Sequence, residues 1–281
     1  MARRNGGLQR VALAVGFPSG FEDDIVRGAI GYAEQVGRWT LDNNGHRPFK
    51  PFHQIDLAAV DGVIGLLDAE NAEAIHRVGV AAVNCSTRLA DLPLPRVGND
   101  DEAIGRMGAT HLLGLGFAGY GFIVAGDTWY GQRRLAGFRE VMEGQAARQI
   151  QILDLPHQVE PSASRTISQW LSEVPRPIAV MATNDTIGRL TINAAVDAGL
   201  RIPEDLAVLG VDNDRWATAM SAVPMSSVQI DARQIGYRAA QMLDELMAGQ
   251  APTPVQWVPP IGVVTRHSTD IVMQEDPLVT Q

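Results

Sequence analysis

The stretch of residues 178–213 constrains the fold more than any other part of the chain. It contains two apolar runs, 178–181 and 206–211, which are separated by a helical pattern and are each followed by polar side chains. This order predicts a βαβ unit, whose two strands lie parallel in one sheet. The polar residues 183–185 and Asp212 then lie at the carboxyl ends of those strands, where open α/β sheets bind ligands. The stretch therefore predicts a site for a small ligand.

Short apolar runs alternate with helical patterns through most of the remaining sequence. The runs outside that stretch lie at residues 11–15, 62–66, 80–83, 120–125 and 150–153. Such alternation is typical of parallel α/β sheets. A chain of 281 residues is long enough for one large domain or for two of about 100–150 residues. Because the runs fall into two series, we expect two similar α/β lobes.

Charge and composition exclude several classes of function. The formal net charge is −9, and the only basic cluster stands at Arg3 and Arg4, so we expect no strong binding of nucleic acid by this chain itself. No run approaches the ~18 apolar residues of a membrane span. Residues 11–15 are too short for the apolar core of a signal peptide, which needs about 7–15 residues. Because Cys85 is the only cysteine, an oxidising compartment is not implied, and we expect a cytoplasmic protein.

Motifs for catalysis or for cofactors are weak. Residues 114–119 match the G-x-G-x-x-G pattern of dinucleotide sites, but that motif must follow a strand and open a helix, and here the order is reversed. We interpret these glycines as the end of a helix and a turn. The six histidines show no metal-binding spacing, and His111 is interpreted as a packed core residue. No G-x-S-x-G elbow occurs, and Cys85 has no evident base. We expect no enzyme, no metal and no cofactor.

Three motifs resemble one known family. They are the stretch 178–213, the segment 258–270 and the short motif 226–228. Together they resemble the effector-binding domains of the lactose-repressor (LacI/GalR) type. The resemblance is greatest to the sensor domains of xylose-operon regulators, in which an AraC-type DNA-binding domain follows, and it covers nearly all of residues 10–279. It implies an α/β fold like that of type I periplasmic binding proteins, with two doubly wound Rossmann-like lobes joined by a three-strand hinge.

The same resemblance implies how the chain is divided. Residues 10–115 and 228–256 are expected to form the N-terminal lobe, and residues 116–227 and 257–270 the C-terminal lobe. Residues 271–281 are expected to be a tail that leads to a DNA-binding domain absent from this chain. In the family the ligand lies in a cleft between the lobes, and closure about the hinge is a known mode of response to ligand.

Three residues are the main candidates for contacts with a ligand. The carboxylate of Asp212 can accept two hydrogen bonds from neighbouring sugar hydroxyls, and the amide of Asn184 can both donate and accept. Arg134 begins an Arg-x-x-Gly-aromatic spacing that resembles the family's ligand-binding arginine. For each of these residues alone, a helix cap or a surface ion pair is the alternative. Asp185 is interpreted as the N-cap of the helix that follows it.

Five further residues are predicted to contact the ligand. Phe21 and Glu22 follow the first strand, where the family's first ligand contacts lie, and Asp100 resembles an acid of another ligand-facing loop. Trp129 and Trp216, both expected in loops at strand ends, have rings that can stack on the C–H face of a sugar. A place in the core is the alternative for each tryptophan.

Together these features predict the effector-sensing domain of a bacterial transcriptional regulator. The effector is expected to be a monosaccharide, with a pentose such as xylose as the leading candidate. We expect a homodimer whose arrangement depends on the ligand, and DNA binding only through a domain that is not in this chain. Two alternatives stay open, a sugar-binding protein of a transport system and an enzyme on the same doubly wound fold.

Overall fold

Strands and helices alternate along the described part of the chain. The computed structural model describes residues 8–16, 20–42, 49–126, 128–143, 150–155 and 161–273. Its strands are Gln9–Ala14 (β1), Trp39–Asp42 (β2), Gly62–Gly65 (β3), Ala81–Asn84 (β4), Arg96–Asn99 (β5), Gly119–Ala125 (β6), Ile150–Leu155 (β7), Ile178–Ala182 (β8), Leu206–Asp212 (β9), Ser226–Gln229 (β10), Val255–Val258 (β11) and Gly262–Val264 (β12). Its α-helices are Gly20–Val36 (α1), Ala69–Val78 (α2), Asp101–Gly114 (α3), Trp129–Glu143 (α4), Pro161–Glu173 (α5), Asp185–Asp197 (α6), Arg215–Ala219 (α7) and Ala232–Met247 (α8). Among the described residues, no helix is both long enough and apolar enough to cross a membrane.

The chain divides into two units, each built around one sheet. Unit 1 contains Met1–Asn99 and Asp231–Val258, and unit 2 contains Asp100–Ile230 and Pro259–Gln281. The sheet of unit 1 has the order β11-β5-β4-β3-β1-β2, and that of unit 2 has the order β12-β10-β9-β8-β6-β7. All neighbouring strands are parallel except β10 and β12. The prediction of two doubly wound α/β lobes is confirmed.

The two sheets repeat one winding pattern. In unit 1 the chain starts at β1, adds β2 on one side, and then adds β3, β4 and β5 on the other. In unit 2 it starts at β6, adds β7 on one side, and then adds β8, β9 and β10 on the other. The direction of winding therefore reverses between β1 and β3 and between β6 and β8. Such a reversal opens a crevice at the carboxyl ends of the strands, which is where doubly wound sheets bind ligands.

The apolar runs form strands whose side chains are buried on both faces of the sheet. All five residues of β8 are buried, as are the first six residues of β9. A parallel strand that is covered by helices on both faces carries apolar side chains on both faces, which explains runs in place of alternation. The core of unit 2 contains Ile167 of α5, Ile187 and Ile192 of α6, and Val180 and Val208 of the sheet.

The predicted boundary between the lobes differs from the observed division chiefly at residues 100–115, which it places in the first lobe, whereas the structure places α3 in unit 2. The two divisions also differ at residues 228–230 and 257–258. The physical reason is that α3 packs against α4, where a Cβ on Gly105 would lie 2.0 Å from the main-chain oxygen of Arg134. Of the predicted tail, Met273 donates its N–H to the oxygen of Leu115 at 2.8 Å, and residues 274–281 lie outside the described residues.

The G-x-G-x-x-G segment ends a helix, as predicted. Helix α3 ends at Gly114 and strand β6 begins at Gly119. Between them Gly116 has a φ of 75°, a left-handed conformation that is typical of a helix end. No helix begins at these glycines, so the segment lacks the helix N-terminus that a dinucleotide phosphate requires.

Candidate ligand site in unit 2

Polar side chains collect at the carboxyl edge of the unit 2 sheet. Helix α4 follows β6, residues 183–185 follow β8, and Asp212 ends β9. Because β6, β8 and β9 are parallel neighbours, these three segments lie at the same edge. Thr183 ties two of them together, since its hydroxyl donates to the oxygen of Ile123 at 2.6 Å and accepts from the N–H of Ala125 at 3.0 Å.

The guanidinium of Arg134 is at the centre of this edge. Its Nε donates to Asp101 Oδ1 at 2.9 Å, and its Nη1 donates to the main-chain oxygen of Thr183 at 2.6 Å. Asp212 Oδ1 lies 3.7 Å from the same Nη1 and forms an ion pair with it. The guanidinium carbon lies 5.0 Å from the centre of the Tyr130 ring. Two helices and the ends of two strands therefore meet at one side chain.

Arg134 stays charged although only 4% of its side chain is exposed. Burial lowers the pKa of the guanidinium, but the charges of Asp101 and Asp212 outweigh that effect and hold the pKa above its usual value. Burying an ion pair costs desolvation energy that a packed apolar pair would not cost. The burial of the Arg134–Asp101 pair is therefore weak evidence for a stabilising role.

Asp212 stands in a left-handed turn that directs the chain out of β9. The φ of Asp212 is 108° and that of Asn213 is 52°, values that residues other than glycine rarely adopt. About a quarter of the Asp212 side chain is exposed, at 26%. Asn213 accepts a hydrogen bond from Arg266 at 2.8 Å, and Asp214 caps α7 by accepting from the N–H groups of Trp216 and Ala217.

The structure assigns the cap of α6 to Asn184 and not to Asp185. Asn184 is the N-cap of α6, with its side-chain oxygen accepting from the N–H of Ile187 at 3.0 Å. The prediction that Asp185 is the cap is wrong. Asp185 is 1% exposed, and it accepts from the hydroxyl of Ser227 and from the N–H of Asp214, both at 2.6 Å. Burial, and next the charge of Asp212, raise the pKa of Asp185 well above its usual value.

A similar pair of neighbouring residues opens α3. Asp100, the predicted ligand contact, is the N-cap and accepts from the N–H of Ala103 at 3.0 Å. The next residue, Asp101, has a side chain with no exposed surface and binds Arg134. Asp101 and Asp185 are both absent from the predicted set of site residues. The available signal was that each follows directly after a residue that can cap a helix.

The four remaining predicted contacts lie on helices, two of them in unit 1 and two in unit 2. Phe21 and Glu22 lie in the first turn of α1 in unit 1, and each is partly buried. Both tryptophans belong to helices, which differs from the predicted loops. Trp129 is partly buried at the start of α4 with the Arg133 guanidinium 5.0 Å from its ring, and Trp216 of α7 is 60% exposed. The helices extend closer to the strand ends than the apolar pattern indicates.

Other reactive groups of the described residues do not form a second centre. No group of three or more potential metal ligands lies together in the described part of the chain. Cys85 is 1% exposed, and burial raises the pKa of its thiol to about 12, so it is a poor nucleophile at neutral pH. His111 is partly buried, in broad agreement with its predicted packed position, and its Nε2 lies 2.9 Å from Thr269 Oγ1.

The charges at this edge favour a neutral polyhydroxyl ligand over an anion. One guanidinium faces the carboxyl groups of Asp101 and Asp212, and Asp185 lies behind them. Excess carboxylate repels a phosphate or a carboxylate ligand, whereas hydroxyl groups can donate to carboxylate oxygens. A guanidinium beside them supplies donors for the hydroxyl oxygens. This is the chemistry of sugar recognition.

The fold and this edge define a class of protein, the periplasmic binding protein-like domains. A family profile described as a periplasmic binding protein-like domain matches residues 109–269, which is more than half of the chain. The chain therefore belongs to that family. A solved structure described as a xylose-binding transcription activator has the same fold. Its TM-score is 0.80 at 24% sequence identity, over 98% of this chain and 73% of that one.

Two curated relatives of this chain are xylose operon regulatory proteins. The xylose operon regulatory protein of Haemophilus influenzae is 30% identical over 243 residues, which cover 81% of this chain and 62% of that protein. The protein of the same name from Escherichia coli strain K12 is 32% identical over 234 residues, which cover 79% of this chain and 59% of that protein. The chain thus spans about three fifths of the length of these relatives.

Proposed function

We propose that this chain is the effector-sensing part of a bacterial transcriptional regulator and that its effector is a monosaccharide. The observation that carries the proposal is the ion pair between Arg134, on the helix after β6, and Asp212, at the carboxyl end of β9. That pair offers both a charged donor and a charged acceptor to hydroxyl groups, which suits a neutral sugar. The names of the relatives support a pentose, and we propose D-xylose as the first candidate.

Six other residues remain proposed contacts with the sugar. Asn184 follows the strand that supplies Thr183, and its amide nitrogen is a donor. We retain Phe21, Glu22, Asp100 and Trp129 as further contacts on the ground of the family resemblance. Trp216 is proposed as the stacking ring, since it is 60% exposed and stands three residues after Asn213.

We test the sugar proposal by isothermal titration calorimetry with a panel of D-xylose, L-arabinose, D-ribose, D-glucose and their phosphates. A neutral aldose is expected to bind and the phosphates are not. In Asp212→Asn the affinity should fall by about 10- to 100-fold, because a charge-assisted hydrogen bond contributes about 1.5–3 kcal/mol and 1.4 kcal/mol is a factor of ten. Asp197→Asn, at the exposed end of α6, is the matched control and should bind normally.

Two results would contradict this proposal. Binding of none of the neutral aldoses would remove its main support, and stronger binding of the phosphates would contradict the charge argument. Substitution of Arg134 is avoided as the primary test, since it would leave Asp101 buried without its cation. We propose binding without turnover, so each aldose should be recovered unchanged after prolonged incubation with the protein.

The regulator proposal also concerns assembly and location. We propose a cytoplasmic homodimer that contacts DNA through a domain outside this chain, of the AraC type found in the resembled regulators. Sedimentation velocity should give a dimer at micromolar concentration, and the sugar should change its frictional ratio if closure alters the arrangement of the subunits. A monomer with and without sugar would favour a binding protein of a transport system instead.

A further inference from the structure

The turn that carries Asp212 is held by hydrogen bonds to buried side chains, which the sugar cannot reach. Two successive residues, Asp212 and Asn213, have positive φ values of 108° and 52°. Residues other than glycine adopt this region at a cost, and they keep it only where the surroundings impose it. The conformation that presents the Asp212 carboxylate therefore needs an explanation outside the turn itself.

The carboxylate of Asp185 reaches both peptide groups that follow Asp212. Its Oδ2 accepts directly from the N–H of Asp214 at 2.6 Å. Its Oδ1 accepts from the hydroxyl of Ser227 at 2.6 Å, and the oxygen of that hydroxyl accepts from the N–H of Asn213 at 2.9 Å. One side chain thus fixes two neighbouring amides, one of them directly and the other through a serine.

The surroundings of Asp185 are shaped for this contact. Strand β9 has Gly210 opposite the carboxylate, where a Cβ would lie 2.1 Å from Asp185 Oδ1. Ser227 lies beside Gly210 in the paired strand β10. Helix α6 does not use the carboxylate as its cap, because Asn184 fills that role. The side chain of Asp185 is therefore committed to the turn after β9.

We propose that Asp185 is a positioning residue of the sugar site: through Asp214 and Ser227 it holds the turn that aims the Asp212 carboxylate at the sugar. Asp185 itself is 1% exposed and does not touch the ligand. The inference rests on the proposed function in one respect, which is that Asp212 contacts the sugar. The hold on the turn is independent of any ligand.

The first test measures that hold without sugar. Amide hydrogen exchange of Asn213 and Asp214 is followed by NMR in the wild-type chain, in Asp185→Ala and in Asp197→Ala, the control at the exposed end of the same helix. We expect exchange at both amides to be at least tenfold faster in Asp185→Ala and unchanged in Asp197→Ala. Equal rates in wild type and Asp185→Ala would overturn the proposal, whether or not a sugar binds.

The second test asks whether Asp185 acts through Asp212. Affinity for D-xylose, or for L-arabinose or D-ribose where one of these binds more tightly, is measured with and without Asp185→Ala in the wild type and in Asp212→Asn. We expect a loss of at least tenfold in the wild type and less than threefold in Asp212→Asn, because a positioning residue has little left to position there. An equal loss in both backgrounds would assign Asp185 a general structural role and overturn the proposal.

Two further variants keep the tests decisive. If Asp185→Ala does not fold, Ser227→Ala removes the serine link and leaves the hydrogen bond from Asp214 to Asp185 in place, whereas Asp185→Asn retains an oxygen for Asp214 and an N–H that can donate to Ser227. Ser227→Ala should speed exchange at Asn213 more than at Asp214, Asp185→Asn should change both less than Ser227→Ala changes Asn213, and unchanged exchange at Asn213 in Ser227→Ala would contradict the scheme. If the wild type binds no aldose, the proposed function fails, and the exchange rates still decide whether Asp185 holds the turn.

Discussion

The two units pack a pair of helices in the same way but fill the contact differently. In unit 1, α1 approaches α8 so closely that a Cβ on Gly28 would lie 2.0 Å from the main-chain oxygen of Arg233. In unit 2, α3 approaches α4 equally closely, with Gly105 opposite the main-chain oxygen of Arg134 at the same distance. A van der Waals contact needs well over 3 Å, so only glycine fits at these two positions.

The polar groups beside the two contacts differ in burial. In unit 1, Asp244 of α8 accepts from the hydroxyl of Tyr32 at 2.8 Å and pairs with Arg38, whose side chain is 56% exposed. In unit 2, the side chains of Asp101 and Arg134 are 0% and 4% exposed. Close helix packing therefore does not require a buried ion pair. The pair in unit 2 holds Arg134 at the strand ends, where its guanidinium also donates to the oxygen of Thr183.

The largest expected effect comes from breaking each ion pair in turn. Asp101→Asn should lower the free energy of unfolding of unit 2 by about 3–5 kcal/mol, because it leaves a buried guanidinium without its closest carboxylate. Arg38→Ala should lower that of unit 1 by less than about 1 kcal/mol, because its cation is largely in solvent. Urea unfolding monitored by circular dichroism measures both. Similar losses in the two variants would show that burial does not distinguish the pairs.

Alanine at the two helix contacts should give smaller and more similar effects on stability. Gly28→Ala and Gly105→Ala should each lower the free energy of unfolding by about 1–3 kcal/mol, because the methyl group forces the helices apart. The two variants should differ in their affinity for the sugar. Gly105→Ala displaces the backbone of Arg134 and should weaken binding at least tenfold, whereas Gly28→Ala should leave affinity within about twofold. Calorimetric titration of both variants decides this, and equal affinities would contradict a role of the α3–α4 contact in the site.

The smallest expected effect is a pH dependence confined to unit 2. Burial lowers the pKa of His111 below its usual 6.5. Between the lowered pKa of His111 in the folded chain and the pKa of about 6.5 in the unfolded chain, the unfolded chain binds more protons than the folded chain. Stability is therefore full above about pH 6.5 and falls as the pH drops below it. Urea unfolding at about pH 7.5 and 5.5 should show a smaller loss in His111→Gln than in the wild type. His76→Gln, on the exposed side of α2 in unit 1, is the control. If the loss of stability at low pH were reduced equally in His76→Gln, His111 would not be its source.

The apolar runs predicted seven of the described strands, and β2 and β5 are among the strands that they do not indicate. Strands β2 and β5 have the sequences WTLD and RVGN, which contain too few apolar residues to stand out. β5 is nevertheless buried along its whole length, and Arg96 fits there because its guanidinium donates to the main-chain oxygens of Leu89 and Ala90. Such a strand is specified by the neighbouring strands and by the loop that binds Arg96. A pattern of apolar residues predicts neither of these contacts.

The candidate site was predictable to the level of segments but not of every side chain. Arg134 and Asp212 were both predicted, and the structure brings them within 3.7 Å. At the starts of α3 and α6, however, two polar residues stand side by side, and the first caps the helix while the second turns inward. Either member of such a pair can be a cap, and the sequence does not distinguish them. The burial of Asp101 and Asp185 was missed for this reason.

By itself, the sequence determined that strands and helices alternate in two series, and that the stretch 178–213 carries polar groups to the carboxyl ends of neighbouring strands. These features depend on periodicity and on residues close in the chain. Only the tertiary structure decided that Asp185 supports the turn after Asp212, through partners 29 and 42 residues further along the chain. Those contacts exist because β8, β9 and β10 pair in one sheet and Gly210 leaves room beside them. The pairing of β9 with β10 lies outside the βαβ pattern of residues 178–213, so that pattern does not encode it.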